Sequence, residues 1–467
     1  MRISFWKRLT TIFIQVAVFA GLAGLIEGGA RIYEAFNPRP RERMAMSLEP
    51  YVMFSQHGPQ HGTMWYDTIR GRDLRSKMNF NNWGMAQDFN YELVPDTDYL
   101  QRHGKHSDER LVVLTGASVV MSVGATSDEN TLSAQLQRHL NEKSEGVRYR
   151  VINIAMGSWL AYQQFVALSL FAMPLNPDWI VSLDGINDAS APCVFGSGAV
   201  NPMEWPMLLY MTHGGTGISS PFLATLARHS ALVRLMSGLR ADEQTGTPSE
   251  LVIDNTDYNS RFVVKLANLT TEVEDKQVPF YLNAERDILS LFNRANIMLT
   301  TQPLYADNAA APSYRAAVGP GGGDPAAVEH ELDKYMAAHK NEPCAPRGKL
   351  DVVGERPAWP TESMDGRDAQ LRGYFMARSA SRLAALVEAA QKADRTRHII
   401  YRNVEGALPY EDKLRRKFFI DYVHFTNLGH DRVAEFLAEN ILAAERGLPF
   451  DFASFARRSE ELAAAAP

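Results

Sequence analysis

The sequence predicts an α/β fold in which a central, mostly parallel five-stranded sheet lies between two helical layers, plus one N-terminal transmembrane helix. Three observations predict it. Five short apolar runs each lead into polar, glycine or proline residues. Stretches with apolar residues at helical spacing separate the first of these runs and follow the last. A long apolar run also lies behind basic residues at the N-terminus. Parallel strands need a crossover of a dozen or more residues, usually a helix, so this alternation favours parallel pairing with helices on both faces.

The elements follow in order. Arg2, Lys7 and Arg8 precede an apolar run from about Leu9 to Ile26. That is near the lower limit of about 17 residues for a membrane span. Basic residues ahead of the run predict an N-inside orientation, with the remainder exported. Gly28-Gly29-Ala30 offers small residues for leader cleavage, so a cleaved signal peptide is the alternative. Glu27 and Arg31 are spaced to pair on a continuing helix, which favours an uncleaved anchor over residues 1–36 that stops before Pro38 and Pro40.

Residues 37–105 are polar and irregular and read as a connector with short strands and turns. The main domain is expected over 106–450. Its strands are "LVVLT" (111–115), "YRVINIA" (149–155), "DWIVSLDG" (178–185), "ANIMLTTQP" (295–303) and "RHIIYR" (397–402). Helices are expected over 131–142, 161–173 and 426–445. In the last, Val433, Phe436, Leu437, Ile441 and Leu442 mark the buried side. Insertions are expected near 195–290 and 306–370, each a candidate lid or substrate wall, and 451–467 is left as a C-terminal tail. "GPGGGD" in the second insertion lacks the Gly-Lys-Ser/Thr of a phosphate loop and reads as a linker.

Composition narrows the function. The chain has 467 residues, 45% hydrophobic and 22% charged, with a formal net charge of −6. No basic stripe appears, so nucleic acid is not an expected partner. Two cysteines, Cys193 and Cys344, are too few for a disulfide scaffold, although an exported protein could join them. The CxxC and HExxH patterns of metal sites are absent, and no metal or organic cofactor is implied.

The chemistry-bearing residues gather at strand ends. Ser118 follows the first strand, Gly157 the second and Asn187 the third. In open parallel sheets, ligands bind beyond the carboxyl ends of the strands. A serine nucleophile needs a base in reach, and the base needs an orienting partner. "DYVHFTNLGH" (421–430) offers both, because Asp421 lies three residues before His424 and can reach back to its Nδ1. Ser122 rivals Ser118 but lacks the strand-end position. His430 rivals His424 but sits inside a helix with no carboxylate three residues before it.

Four blocks, "LTGASVV", "VINIAMGSW", "VSLDGINDAS" and "DYVHFTNLGH", occur in this order. Together they resemble the SGNH/GDSL hydrolase family over about 108–190, 295–303 and 397–445. The first block departs from the family's Gly-Asp-Ser, with Ala117 in the middle. The run from 116 to 136 also resembles membrane-anchored bacterial members, in which a small residue often replaces that aspartate.

The resemblance implies a three-layer, flavodoxin-like fold. It implies Ser118 as nucleophile, His424 as general base and then acid, and Asp421 as its orienting carboxylate. The backbone N–H groups of Ser118 and Gly157, with the Asn187 amide, would form the oxyanion hole, and Asp188 would be structural. The implied activity is cleavage of an ester on a cell-envelope glycan or a lipid. The protein would be single-pass in the bacterial inner membrane, its catalytic domain on the periplasmic side. The alternatives are an O-acyltransferase using the same triad on an extracytoplasmic polysaccharide, and an inactive glycan-binding module.

Overall fold

The computed structural model describes residues 2–36, 46–49, 53–56, 60–67, 73–80, 108–157, 159–189, 230–233, 235–236, 277–305, 330, 333–334, 337, 366–409, 411–421 and 423–466. Cys193, Cys344 and the glycine-rich linker lie outside the described residues. So does most of the stretch expected to form the second insertion. The chain divides into two compact units. One comprises 1–42 and 209–255; the other comprises 43–208 and 256–467.

In the first unit, α1 (Arg2–Phe36) is one continuous helix. Its stretch Phe13–Tyr33 is long and apolar enough to cross a membrane, with mean hydropathy 1.6, and is exposed along most of its length. It continues through Gly28-Gly29-Ala30, and Arg31 pairs with Glu27 at 2.9 Å.

The second unit opens with two antiparallel hairpins, β1 (Met46–Glu49) with β2 (Met53–Gln56), and β3 (Gln60–Asp67) with β4 (Asp73–Phe80). The main sheet follows. It contains β5 (Glu109–Gly116), β6 (Arg148–Ala155), β7 (Trp179–Asp184), β8 (Asn296–Thr301) and β9 (Ile399–Asn403). All four pairings are parallel, in the order β6-β5-β7-β8-β9. This is the flavodoxin-like order, and its direction reverses between β5 and β7. The central strands are buried on both sides. Val112, Val113, Leu114, Ile180, Val181 and Leu183 have no solvent exposure, which explains their near-continuous apolar sequence. Each such side chain contributes about 1.5–3 kcal/mol.

Helices cover both faces. α2 (Leu132–Lys143) packs on β6 and on α6 (Asn427–Glu445), and forms one layer. The other layer is a row of α3 (Ala161–Ala167), α4 (Val278–Leu291) and α5 (Gly366–Ala393). The sequence reading has no helix at α5: its first residues fall in the expected insertion up to 370, and 371–396 are given no element. The signal was present: Met376, Ala380, Leu383 and Val387 are buried at alternating four- and three-residue steps.

The expected tail instead forms α7 (Phe452–Ala465). Its Phe455 is fully buried, 5.3 Å from the Phe436 ring and 5.8 Å from Phe450. The Arg432 guanidinium lies 3.6 Å from the Phe455 ring centre.

Two polar features brace the rim where the strands end. Arg415 and Glu405 form a buried ion pair. Arg415 also donates to the Leu304 carbonyl at 2.7 Å, and Glu405 accepts the Leu304 N–H at 3.1 Å. This joins the segment after β8 to that after β9. The first insertion, expected to reach about 290, gives way to α4 from Val278 on; just before it Gln277 donates to the Asp188 carbonyl, so the departing and returning chains meet.

Behind β7 lies a set of buried carboxyls, Asp184, Asp188 and Glu285, beside Tyr281. Burial pushes Asp184 up to about 6. Burial, and then the charge of Asp184, raise Glu285 to about 8 and Asp188 well above the carboxylate range. The fold therefore holds protons that the unfolded chain releases near pH 4. Stability from this set is fully present below the unfolded carboxyl range and is lost as pH rises through about 6 and then about 8. Urea denaturation of the full chain in detergent should show stability falling from pH 5 to 8.5. In Glu285→Gln the fall should be shallower by at most about 1.4 kcal/mol per pH unit.

Candidate active site

The first part of the site is the turn after β5. Gly116 ends the strand against β7: a Cβ there would lie 2.5 Å from the Leu183 carbonyl oxygen and 2.3 Å from Val120 Cγ2. Only glycine allows both approaches without a shift. The chain then turns tightly, with Met121 N–H donating to the Ala117 carbonyl at 2.9 Å and Val123 N–H to the Ser118 carbonyl at 3.0 Å. Ala117, Val119 and Val120 are buried while Ser118 is partly exposed. The turn therefore buries its apolar residues and presents the serine. Ala117 occupies a fully buried position, where an aspartate would need partners.

The second part precedes α6. Phe419 and Phe425 form an antiparallel bridge, and Ile420 N–H donates to the His424 carbonyl at 2.9 Å. Phe418, Phe419 and Phe425 are buried and fix the base of this loop. Asp421 divides its two oxygens. Oδ1 accepts the backbone N–H groups of Val423 and His424, both at 2.8 Å, in the manner of an Asx turn. Oδ2 stands 2.6 Å from His424 Nδ1. His424 Nε2 in turn stands 2.9 Å from Ser118 Oγ, across 306 positions of sequence. Burial pushes the Asp421 carboxyl up. The His424 charge, its ring hydrogen bond and the two backbone donors outweigh that, and hold it below its ordinary value. Asp421 is thus kept ionised beside the ring.

Contacts between the two loops hold this geometry. Gly124 has φ +103°, and a Cβ there would fall 2.2 Å from the Phe425 carbonyl oxygen, so the backbones touch one residue from His424. Asn427 accepts the Thr126 N–H at 3.1 Å and donates to Thr126 Oγ1 at 2.6 Å. Sequence reasoning missed this pair. Its one signal is Asn427 inside the His424 block, at the first turn of a helix capped by Thr426.

The third part is the segment after β6. A Cβ on Gly157 would lie 3.9 Å from Ser118 Cβ and 3.5 Å from Met121 Cε, so Gly157 borders the serine at van der Waals distance. Neither Ser118 N–H nor Gly157 N–H has a hydrogen-bond partner among the described residues. Asn187 donates an amide hydrogen to the Trp159 carbonyl at 2.9 Å. Asp188 accepts the Ala161 N–H at 3.2 Å, so both residues tie the turn after β7 to the segment carrying Gly157.

The rivals are elsewhere engaged. Ser122 is fully buried with φ 73°; its hydroxyl donates to the Val120 carbonyl at 3.1 Å and accepts the Leu132 N–H at 2.8 Å. It joins the turn to α2. His430 is fully buried, edge-on to Phe425, and burial followed by the His424 charge lowers it to about 3. It stays neutral in the core.

No protein-family model matches the chain, and no curated protein does. Solved structures do. LAE5, an α/β hydrolase from the metagenome of Lake Arreo, Spain, is 12% identical; the match covers 70% of this chain and 94% of that one, with a TM-score of 0.28. The acetyl xylan esterase AlAXEase is 12% identical, with 72% and 98% covered and a TM-score of 0.27. These superpositions are loose, so the functional reading rests on this chain's own side chains.

A serine hydroxyl bonded to an imidazole that is itself bonded to a carboxylate can be deprotonated as it attacks an electrophile. A fluorophosphonate should therefore modify Ser118 and leave Ser122 untouched, as read by peptide mass mapping. Asn427→Ala should slow that labelling on the order of 10-fold to 100-fold, since small displacements of a reacting pair are costly.

Proposed function

We propose that the chain is a serine ester hydrolase of the SGNH/GDSL type. The observation that carries this reading is the linked pair of contacts, Ser118 Oγ to His424 Nε2 and His424 Nδ1 to Asp421, beside two backbone N–H groups that have no partner among the described residues. The four sequence blocks and the strand order agree with it.

In this reading Ser118 Oγ attacks the ester carbonyl carbon as its proton passes to His424 Nε2. Asp421 holds the Nδ1 proton and stabilises the imidazolium. The carbonyl oxygen becomes an oxyanion and accepts from Ser118 N–H, Gly157 N–H and the Asn187 amide. Collapse of the intermediate breaks the ester C–O bond, and His424 gives its proton to the departing alcohol. Water then repeats the attack on the acyl-enzyme, with His424 again the base. Gly157, having no side chain, lets its backbone stand close to Ser118. The substrate is an ester borne by an envelope glycan or a lipid. α1 crosses the membrane with Arg2, Lys7 and Arg8 inside, and the site works on the exported side.

The test is one variant series on a nitrophenyl ester, with circular dichroism confirming the fold. Ser118→Ala and His424→Ala should remove nearly all turnover. Asp421→Asn should also cause a large loss through the wrong tautomer. Asn187→Ala should cost on the order of 10²–10³, since the backbone donors remain. Folded Ser118→Ala with wild-type turnover would overturn the assignment. Acyl transfer to an added polysaccharide outrunning hydrolysis would make the protein an O-acyltransferase with the same triad.

A further inference from the structure

Glu27 is the one acidic residue in the apolar stretch of α1. It lies 19 residues beyond Arg8, about 28 Å along a helix rising 1.5 Å per residue. The hydrocarbon core of a bilayer is about 30 Å thick. With Arg8 at the inner boundary, Glu27 stands at the outer one. A carboxylate at that depth is costly unless it is paired.

Its partners come from far along the chain. Glu27 accepts from Ser230 Oγ at 2.8 Å, Ala231 N–H at 2.8 Å and Leu232 N–H at 3.1 Å, besides Arg31 at 2.9 Å. Ser230 Oγ also accepts the Val233 N–H at 3.2 Å. Glu27 and Ser230 thus share the first backbone donors of a helical turn that the sequence places in an insertion. The turn is fixed to α1 at the depth of Glu27, and its Met236 is 52% exposed. The surrounding sequence sets Arg228, Arg234 and Arg240 among Leu226, Leu232, Leu235 and Leu239, a composition suited to a lipid headgroup layer.

We propose that the segment around Ser230–Met236 is a second membrane-contacting element, pinned to the anchor helix by Glu27 and lying in the outer headgroup layer. The insertion then serves as a membrane dock. The inference rests on reading α1 as membrane-spanning.

The test uses the full chain, with Cys193 and Cys344 replaced by serine, in phosphatidylcholine–phosphatidylglycerol vesicles. Met236→Cys carries a fluorophore. A nitroxide on the upper acyl chain of the lipid should quench most of the emission, and a water-soluble nitroxide little. Adding Glu27→Ala should reverse that preference. A label quenched mainly from water, in a chain that resists alkaline carbonate extraction, overturns this inference and leaves the anchor reading standing. Release by carbonate overturns both. Lipid quenching unchanged in Glu27→Ala overturns the role of Glu27. Ester cleavage, measured in parallel, reports on the catalytic reading alone.

Discussion

The site depends on how closely two adjacent parallel strands end. Gly116 lies against the Leu183 carbonyl with no room for a methyl group, and β5 and β7 end within one residue of each other. Their following turns then open side by side at the point where the sheet reverses direction. Ser118 and Asn187 come from those two turns. The neighbouring strand β6 delivers Gly157 to the same place by the same parallel geometry. The sheet thereby converts three separate stretches of sequence into one rim, and the exact side chains elsewhere in the core matter less than this shared ending.

The histidine is positioned differently, because no strand of the sheet carries it. Its loop is built on three buried phenylalanines and a short antiparallel bridge. The loop is then fastened to the serine turn through the Gly124–Phe425 approach and the Asn427–Thr126 pair. Asp421 belongs to both tasks, since one oxygen shapes the loop and the other faces the ring. A longer carboxylate such as glutamate could not keep both oxygens in place, so the side chain is fixed by conformation as much as by charge.

Much of this was legible in the sequence, for physical reasons. The central strands are buried on both faces, so they read as unbroken apolar runs, and a polar residue straight after such a run is conspicuous. Ser118, Gly157 and Asn187 stood out in this way. Asp421 and His424 were close in sequence, so their pairing was a local matter. What could not be read depended on long-range contact. Nothing local marks Asn427 as the partner of Thr126, or Asp188 as the acceptor for Ala161. α5 was hidden by a different cause: the polar, proline-containing sequence before it blurred its start, although its buried positions keep helical spacing. The helix over the last residues gives little periodic signal beyond Phe455, which packs against the touching rings of Phe436 and Phe450.

The link between Gln277 and the Asp188 carbonyl has a consequence for how such a chain can change. Residues 89 positions apart are joined at the point where the insertion leaves and re-enters the domain. With the neck closed, the entropy of the intervening chain is already separated from the stability of the sheet, and doubling its length would add only about 0.6 kcal/mol. The stretch between these two residues can therefore be lengthened, shortened or exchanged in evolution while the rim that carries Ser118 keeps its geometry, as a socket keeps its shape whatever is plugged into it.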